Sequence, residues 1–203
     1  MYLAGAHWGI SAIAGRFCRD RRGVAAIEFA FIAPVLLIMY FITMEASQAI
    51  ETSKKVSRIG SMVADLVTQQ TTVAKADLDA IMKIGTSTLR PYNRSTPTII
   101  ITGIHISDEA SPKATVAWSR KLVGTTFSVD AAKDSITTVP STLNIRNTFL
   151  VRVESDLGYE PIITWSADDS KPLGLTSAFN HIPMGETYYL RPRRGPTVPC
   201  SDC

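Results

Sequence analysis

The run from Val24 to Met44 is 21 residues long and carries a single charge, Glu28. At about 1.5 Å of rise per helical residue it spans roughly 30 Å, the hydrocarbon thickness of a bilayer. Four arginines (Arg16, Arg19, Arg21 and Arg22) and one acid, Asp20, stand just ahead of it. Basic residues flank a span on its cytoplasmic side, so the N-terminus is expected in the cytoplasm and the bulk of the chain beyond the membrane. Pro34 falls inside the run. It would cost about 3 kcal/mol in a soluble helix but is tolerated in a span, where neighbouring groups satisfy the freed carbonyl. Tyr40 lies near the outer end, where tyrosines gather.

A carboxylate inside a span costs a few kcal/mol and is by default a functional candidate. Glu28 lies five residues after Gly23, about 7 Å into the helix and near its basic edge. One reading is an interfacial glutamate steadied by the helix N-terminus and the arginines. The spacing offers another. Gly23, four residues, Glu28 and then Phe29, after a basic segment and before an apolar run, resembles the processing site of type IV prepilins. In those proteins the leader is cut after the glycine, and the glutamate becomes the fifth residue of the mature chain.

Residues 21–37, Arg-Arg-Gly-Val-Ala-Ala-Ile-Glu-Phe-Ala-Phe-Ile-Ala-Pro-Val-Leu-Leu, are more similar still to the opening of the TadE/TadG-like pseudopilins of Flp (tight-adherence) pili. The resemblance covers about residues 19–50. It continues faintly in Phe149-Leu150-Val151-Arg152-Val153-Glu154 and in Tyr188-Tyr189-Leu190-Arg191-Pro192. It implies a pilin-like plan and a non-enzymatic pseudopilin or minor subunit that supports pilus assembly. Cleavage would fall after Gly23 and leave the new amine on Val24, and Glu28 would pair with the amine of a neighbouring subunit. The implied partners are other pilus-assembly subunits and a prepilin peptidase. Members of the TadG type remain anchored, so cleavage stays open.

A secretory signal competes with this reading. Ser47-Gln48-Ala49 places small residues where a signal peptidase would cut, and the alternative is a signal-anchored or secreted periplasmic binding domain unrelated to pili. Against it stand the long N-terminal region and Glu28 within the apolar segment.

The chain divides into a basic leader (1–23), a transmembrane helix (24–44), an extramembrane helical segment (45–92) and a sheet region with an extended C-terminal tail (93–203). The expected class is α+β: a long N-terminal helix leading into an exported domain with a second helix and a small antiparallel sheet. Of 21 Lys and Arg and 18 acids, the leader holds four and one, so the remainder is neutral. Nothing in that balance favours nucleic acid.

Beyond the span, Val56, Ile59, Val63 and Leu66 recur at helical spacing, with Ala49 and Thr52 extending the row backwards. Lys54, Lys55, Arg58, Ser61 and Asp65 take the opposite face. The stripe is expected to meet the sheet of its own domain, with a neighbouring subunit as the alternative. Asp77 reads as an N-cap or first-turn acid of a second helix carrying Leu78, Ile81, Met82 and Leu89 and ending before Pro91.

From Pro97 the texture becomes β-rich. Residues 98–107, alternating around Ile100, Thr102, Ile104 and Ile106, and residues 114–120 form an expected hairpin. Residues 147–156 are the clearest strand, followed by a turn over 156–161 and a short apolar segment, 162–165. A helical turn is expected near 130–134, and closing strands over 177–182 and 187–191. The tail Arg191-Pro192-Arg193-Arg194-Gly195-Pro196 reads as solvated.

No catalytic constellation assembles. The pattern Gly-x-Ser-x-Gly, the pattern His-Glu-x-x-His and a phosphate-cradling glycine loop are all missing from the sequence. His7, His105 and His181 stand apart, and Asp108-Glu109 and Asp168-Asp169 are adjacent acids in turns. No catalytic residue, cofactor, metal or small-molecule substrate is expected. Cys18 lies in the leader, while Cys200 and Cys203 close the chain three residues apart. That pair is open to a disulfide, to free thiols or to a metal. Trp118, Trp165, Tyr159, Tyr188 and Tyr189 are expected in the core.

Overall fold

The computed structural model describes residues 23–161 and 182–203. The chain forms two compact units, Met1–Ala46 and Ser47–Cys203. Helix α1, Val24–Thr68, belongs to both. In the first unit no described residue of α1 is buried, and Pro34 sits inside the helix.

The second unit combines the later part of α1, helix α2 (Lys75–Ser87) and a five-stranded antiparallel sheet. The strands are β1 (Thr98–Ile106), β2 (Ala114–Val123), β3 (Thr126–Ser128), β4 (Thr148–Tyr159) and β5 (Ile182–Leu190), in the order β3-β2-β1-β4-β5. The fold is α+β with a long N-terminal apolar helix, as expected.

The helical stripe buries Thr52, Val56, Ile59, Val63 and Val67 in a core shared with α2 and one sheet face. Gly60 lies inside the helix and on its buried side. A Cβ there would come within 2.7 Å of the Tyr188 ring and 2.9 Å of Ser155 Oγ. The glycine therefore lets the α1 backbone approach β4 and β5. Two bonds fix that contact: Ser155 Oγ donates to the Val56 carbonyl at 3.1 Å, and the hydroxyls of Ser57 and Tyr188 lie 2.5 Å apart. Leu66, expected inward, is only half-buried, because Ala64 and Val67 hold the buried face.

Helix α2 carries Leu78, Ile81 and Met82 inward. Asp77 is in its first turn and accepts the Ala74 N–H at 2.9 Å, satisfying a donor that no intrahelical carbonyl can reach. Leu89 lies past the helix end but is buried.

The hairpin of β1 and β2 forms, with β2 longer than expected. Its register shifts between Gly103 and Ile104. The extra residue of such a bulge turns Val116 and Trp118 to opposite faces, and Gly103 leaves room for the Trp118 ring, 2.5 Å from where a Cβ would stand. The sheet is covered on both sides as a result. Ile99, Ile101, Trp118, Phe149, Val151 and Val153 face the helices. Ile104, Ile106, Ala114 and Leu150 form a second cluster under Val139, Leu143 and Tyr189.

Several expectations need correction. The stretch 130–134 is a tight turn with Asp134 at φ 63° and not a helical turn. Gly124 and Thr125 form a two-residue hairpin loop between Val123 and Thr126, with Gly124 at φ 61° supplying the left-handed conformation that carries β2 into β3. Residues 156–159, expected to turn, continue β4, because Leu157 and Tyr159 are buried and paired with β5. Of the expected closing strands, 187–191 falls at the end of β5, which begins at Ile182 and ends at Leu190. Residues 162–165 and 177–181 lie outside the described residues, as do Trp165, Asp168, Asp169 and His181.

The stretch 191–196 is largely exposed, as read from the sequence, but the residues after it dock onto the fold. The Trp118 indole N–H donates to the Val198 carbonyl at 2.7 Å, and Val198 is fully buried. Cys200 bridges Val73 in parallel, and the Arg193 N–H donates to the Thr68 carbonyl at 2.9 Å. Arg193 also meets Asp65 at 2.6 Å. The tail thus supplies acceptors and donors to the α1–α2 turn, whose backbone would otherwise lack partners.

Candidate functional site

Gly23 stands immediately ahead of α1 and is exposed, and a Cβ there would meet nothing within 4 Å among the described residues. The Gly23–Val24 bond therefore lies open at the helix start. The first turn of α1 holds no acid. Glu28 comes in the second turn and is exposed, and among the described residues no hydrogen bond or ion pair to it is found. Phe29 beside it is 68% exposed.

The surface around Glu28 is apolar for the length of the run. Val24, Ile27, Phe31, Ile32, Val35 and Leu36 are each about half exposed or more. A monomer in water rarely shows so large a continuous apolar surface. α1 is long and apolar enough to cross a membrane, consistent with single-pass anchoring. A carboxylate in that environment attracts a positive group strongly, because little water screens it. The arrangement therefore suits recognition of a cation or amine beside the helix. Arg16, Arg19, Arg21 and Arg22, singled out for topology, lie outside the described residues.

Cys200 and Cys203 are joined as a disulfide. Their sulfurs and the Asp202 carboxylate lie within 4.8 Å of one another. With each sulfur bonded to the other, neither offers a thiolate, and Asp202 is engaged elsewhere: its Oδ1 accepts the Lys75 N–H at 2.7 Å at the start of α2. The group acts as a clasp between the tail and α2.

Chemistry elsewhere is sparse. His105 is exposed on β1, and its side chain meets no acid or nucleophile among the described residues. Asp108 and Glu109 are exposed, and Glu109 pairs with Lys113 at 3.5 Å. Trp118 and Tyr159 are in the core, while Tyr188 and Tyr189 are half-buried.

Two arrangements had no sequence signal. Arg120 and Asp79 form a paired fork, with Nε to Oδ1 at 2.7 Å and Nη2 to Oδ2 at 2.8 Å. Arg94 lies over Tyr92 and Tyr159, which stack with their centres 5.3 Å apart. Both join residues more than 40 positions apart, so no local spacing announces them.

The fold and the helix start define a chain with a membrane-length helix leading into a small α+β unit. Residues 23–58 match the TadE-like protein family, a match that covers α1 from its start to the middle of its packed part and less than a fifth of the chain. Neither a curated protein nor a solved structure matches the chain. TadE-like proteins are a pilus-associated structural family, and the matched segment points to a tight-adherence pilus system.

Proposed function

We propose that this chain is a non-enzymatic pseudopilin or minor subunit, anchored in the inner membrane, that supports assembly of Flp-type pili. The observation that carries the reading is the coincidence of three features in one helix. The TadE-like match begins at Gly23, Glu28 follows at the prepilin interval, and the helix around it is apolar and exposed. The N-terminus lies in the cytoplasm and the Ser47–Cys203 unit in the periplasm, following the arginines of the leader.

In this reading a prepilin peptidase cuts after Gly23 and Val24 carries the new amine. Glu28 then pairs with the amine of a neighbouring subunit. The two charges relieve each other's desolvation in the apolar layer, which explains why a carboxylate is kept there.

Sequencing the N-terminus of the protein from membranes tests the processing step. Val24 as first residue is the expected result. Processing after Ala49 would favour a released periplasmic domain, and an intact N-terminus a permanently anchored assembly factor. The pairing is tested by Glu28→Gln, which should enter the membrane normally yet reduce surface pili by tenfold or more. Unchanged piliation in that variant overturns the pairing.

A further inference from the structure

The second unit carries a cleft of 380 Å³ between α1, from Gln48 to Lys55, and the segment Pro91–Arg94 ahead of β1. Arg94 is its most defined feature. The guanidinium carbon lies 4.9 Å from the centre of the Tyr92 ring and 5.4 Å from that of Tyr159. Tyr92 is itself held, its hydroxyl accepting the Glu160 N–H at 2.8 Å and lying 3.0 Å from Ser95 Oγ. One fork nitrogen, Nη2, reaches Gln48 Oε1 at 3.3 Å, while the other, Nη1, is buried with no hydrogen-bond partner among the described residues. The lining holds two cations, Lys55 and Arg94, against one acid, and that acid, Glu51, is bound to Lys55 at 3.0 Å.

A guanidinium held against two aromatic rings has lost much of its freedom before any ligand arrives, and its planar fork matches the oxygens of a phosphate. The helical wall of the cleft begins at Gln48, four residues after the apolar run ends at Met44. Where that run is held in a bilayer, the chain just beyond it lies at the depth of the lipid headgroups.

We infer that the Arg94 cleft binds the phosphate of an anionic phospholipid headgroup, with Arg94 as the fork and Gln48 orienting it. The inference uses one part of the reading above, membrane insertion of residues 24–44, and is independent of any role in pili.

The test uses the full chain purified in a neutral sugar detergent and supplied with phosphatidylglycerol, with zwitterionic phosphatidylcholine, or with inorganic phosphate. Retained lipid is counted by native mass spectrometry. Wild-type protein should retain one phosphatidylglycerol in preference to phosphatidylcholine. Arg94→Gln should weaken that retention at least tenfold, Arg94→Lys should fall between because it keeps the charge and loses the fork, and Lys133→Gln, outside the cleft, should match wild type. Near-UV circular dichroism checks that each variant folds. If Arg94→Gln does not fold, Arg94→Lys carries the test. Retention equal to wild type in the folded Arg94 variants overturns the site. Arg94-dependent binding of inorganic phosphate without lipid retention overturns the lipid as its ligand. Carbonate-resistant membrane association of wild type and variant checks the insertion premise separately, so its failure is not confused with failure of the cleft.

Discussion

At Arg120 the guanidinium and the Asp79 carboxylate meet through two bonds of 2.7 and 2.8 Å, with the side chains 14% and 22% exposed. The bond to Asp79 raises the Arg120 pKa above its ordinary value, burial opposes the shift, and the charges of Asp79 and Asp202 add to it. A raised pKa in the folded state contributes stability below the unfolded value and loses it only as pH climbs through the folded one. Both lie far into the alkaline range, so the Arg120 titration adds no pH dependence between pH 5 and 9. Asp79→Asn should lower the unfolding free energy by about 1–3 kcal/mol, measured by urea denaturation, since it removes one charge from a bidentate, largely buried pair. This pair was illegible in the sequence because its members are 41 residues apart. Glu28 was legible for the opposite reason: everything that makes it unusual lies within a few residues of it.

Helix α1 is legible as an element twice over. The apolar run shows itself by length, and the packed part by spacings of three and four. The same pattern ran through Gly60 but could not show that Gly60 faces the sheet. A glycine in a helix costs about 1 kcal/mol relative to alanine, so propensity alone argues for replacing it. Tertiary packing reverses that expectation, because the Tyr188 ring and Ser155 occupy the space. Gly60→Ala should therefore destabilise the Ser47–Cys203 unit by about 1–3 kcal/mol, read from its urea midpoint. A stabilised variant would show that α1 does not press on β4 and β5 as described. On β4 and β1 alternation located the strands but not their burial, since both faces of the sheet are covered.

For the molecule as a whole, the basic stretch 191–196 stays largely exposed while the chain after it joins the core. Val198, fully buried beneath the Trp118 bond, anchors it more than the disulfide does. A ring of so few residues removes little chain entropy, so Cys200→Ser with Cys203→Ser should cost at most about 2 kcal/mol. Val198→Asp, which buries an unpaired charge, should cost about 3–5 kcal/mol. Both are measured by thermal or urea unfolding, and the opposite ranking would make the clasp the anchor.

The sequence by itself determined the membrane-length helix, its solitary carboxylate at the prepilin interval, the amphipathic continuation and the α+β class. Each rests on hydrophobic pattern or on spacing along one element, and such signals are local. Only the tertiary structure decided that the chain after the basic stretch docks, that Gly60 is a contact surface, and that Arg94, Tyr92 and Gln48 meet in one cleft. Those contacts join distant parts of the chain, and they exist only once the backbone has brought the partners together.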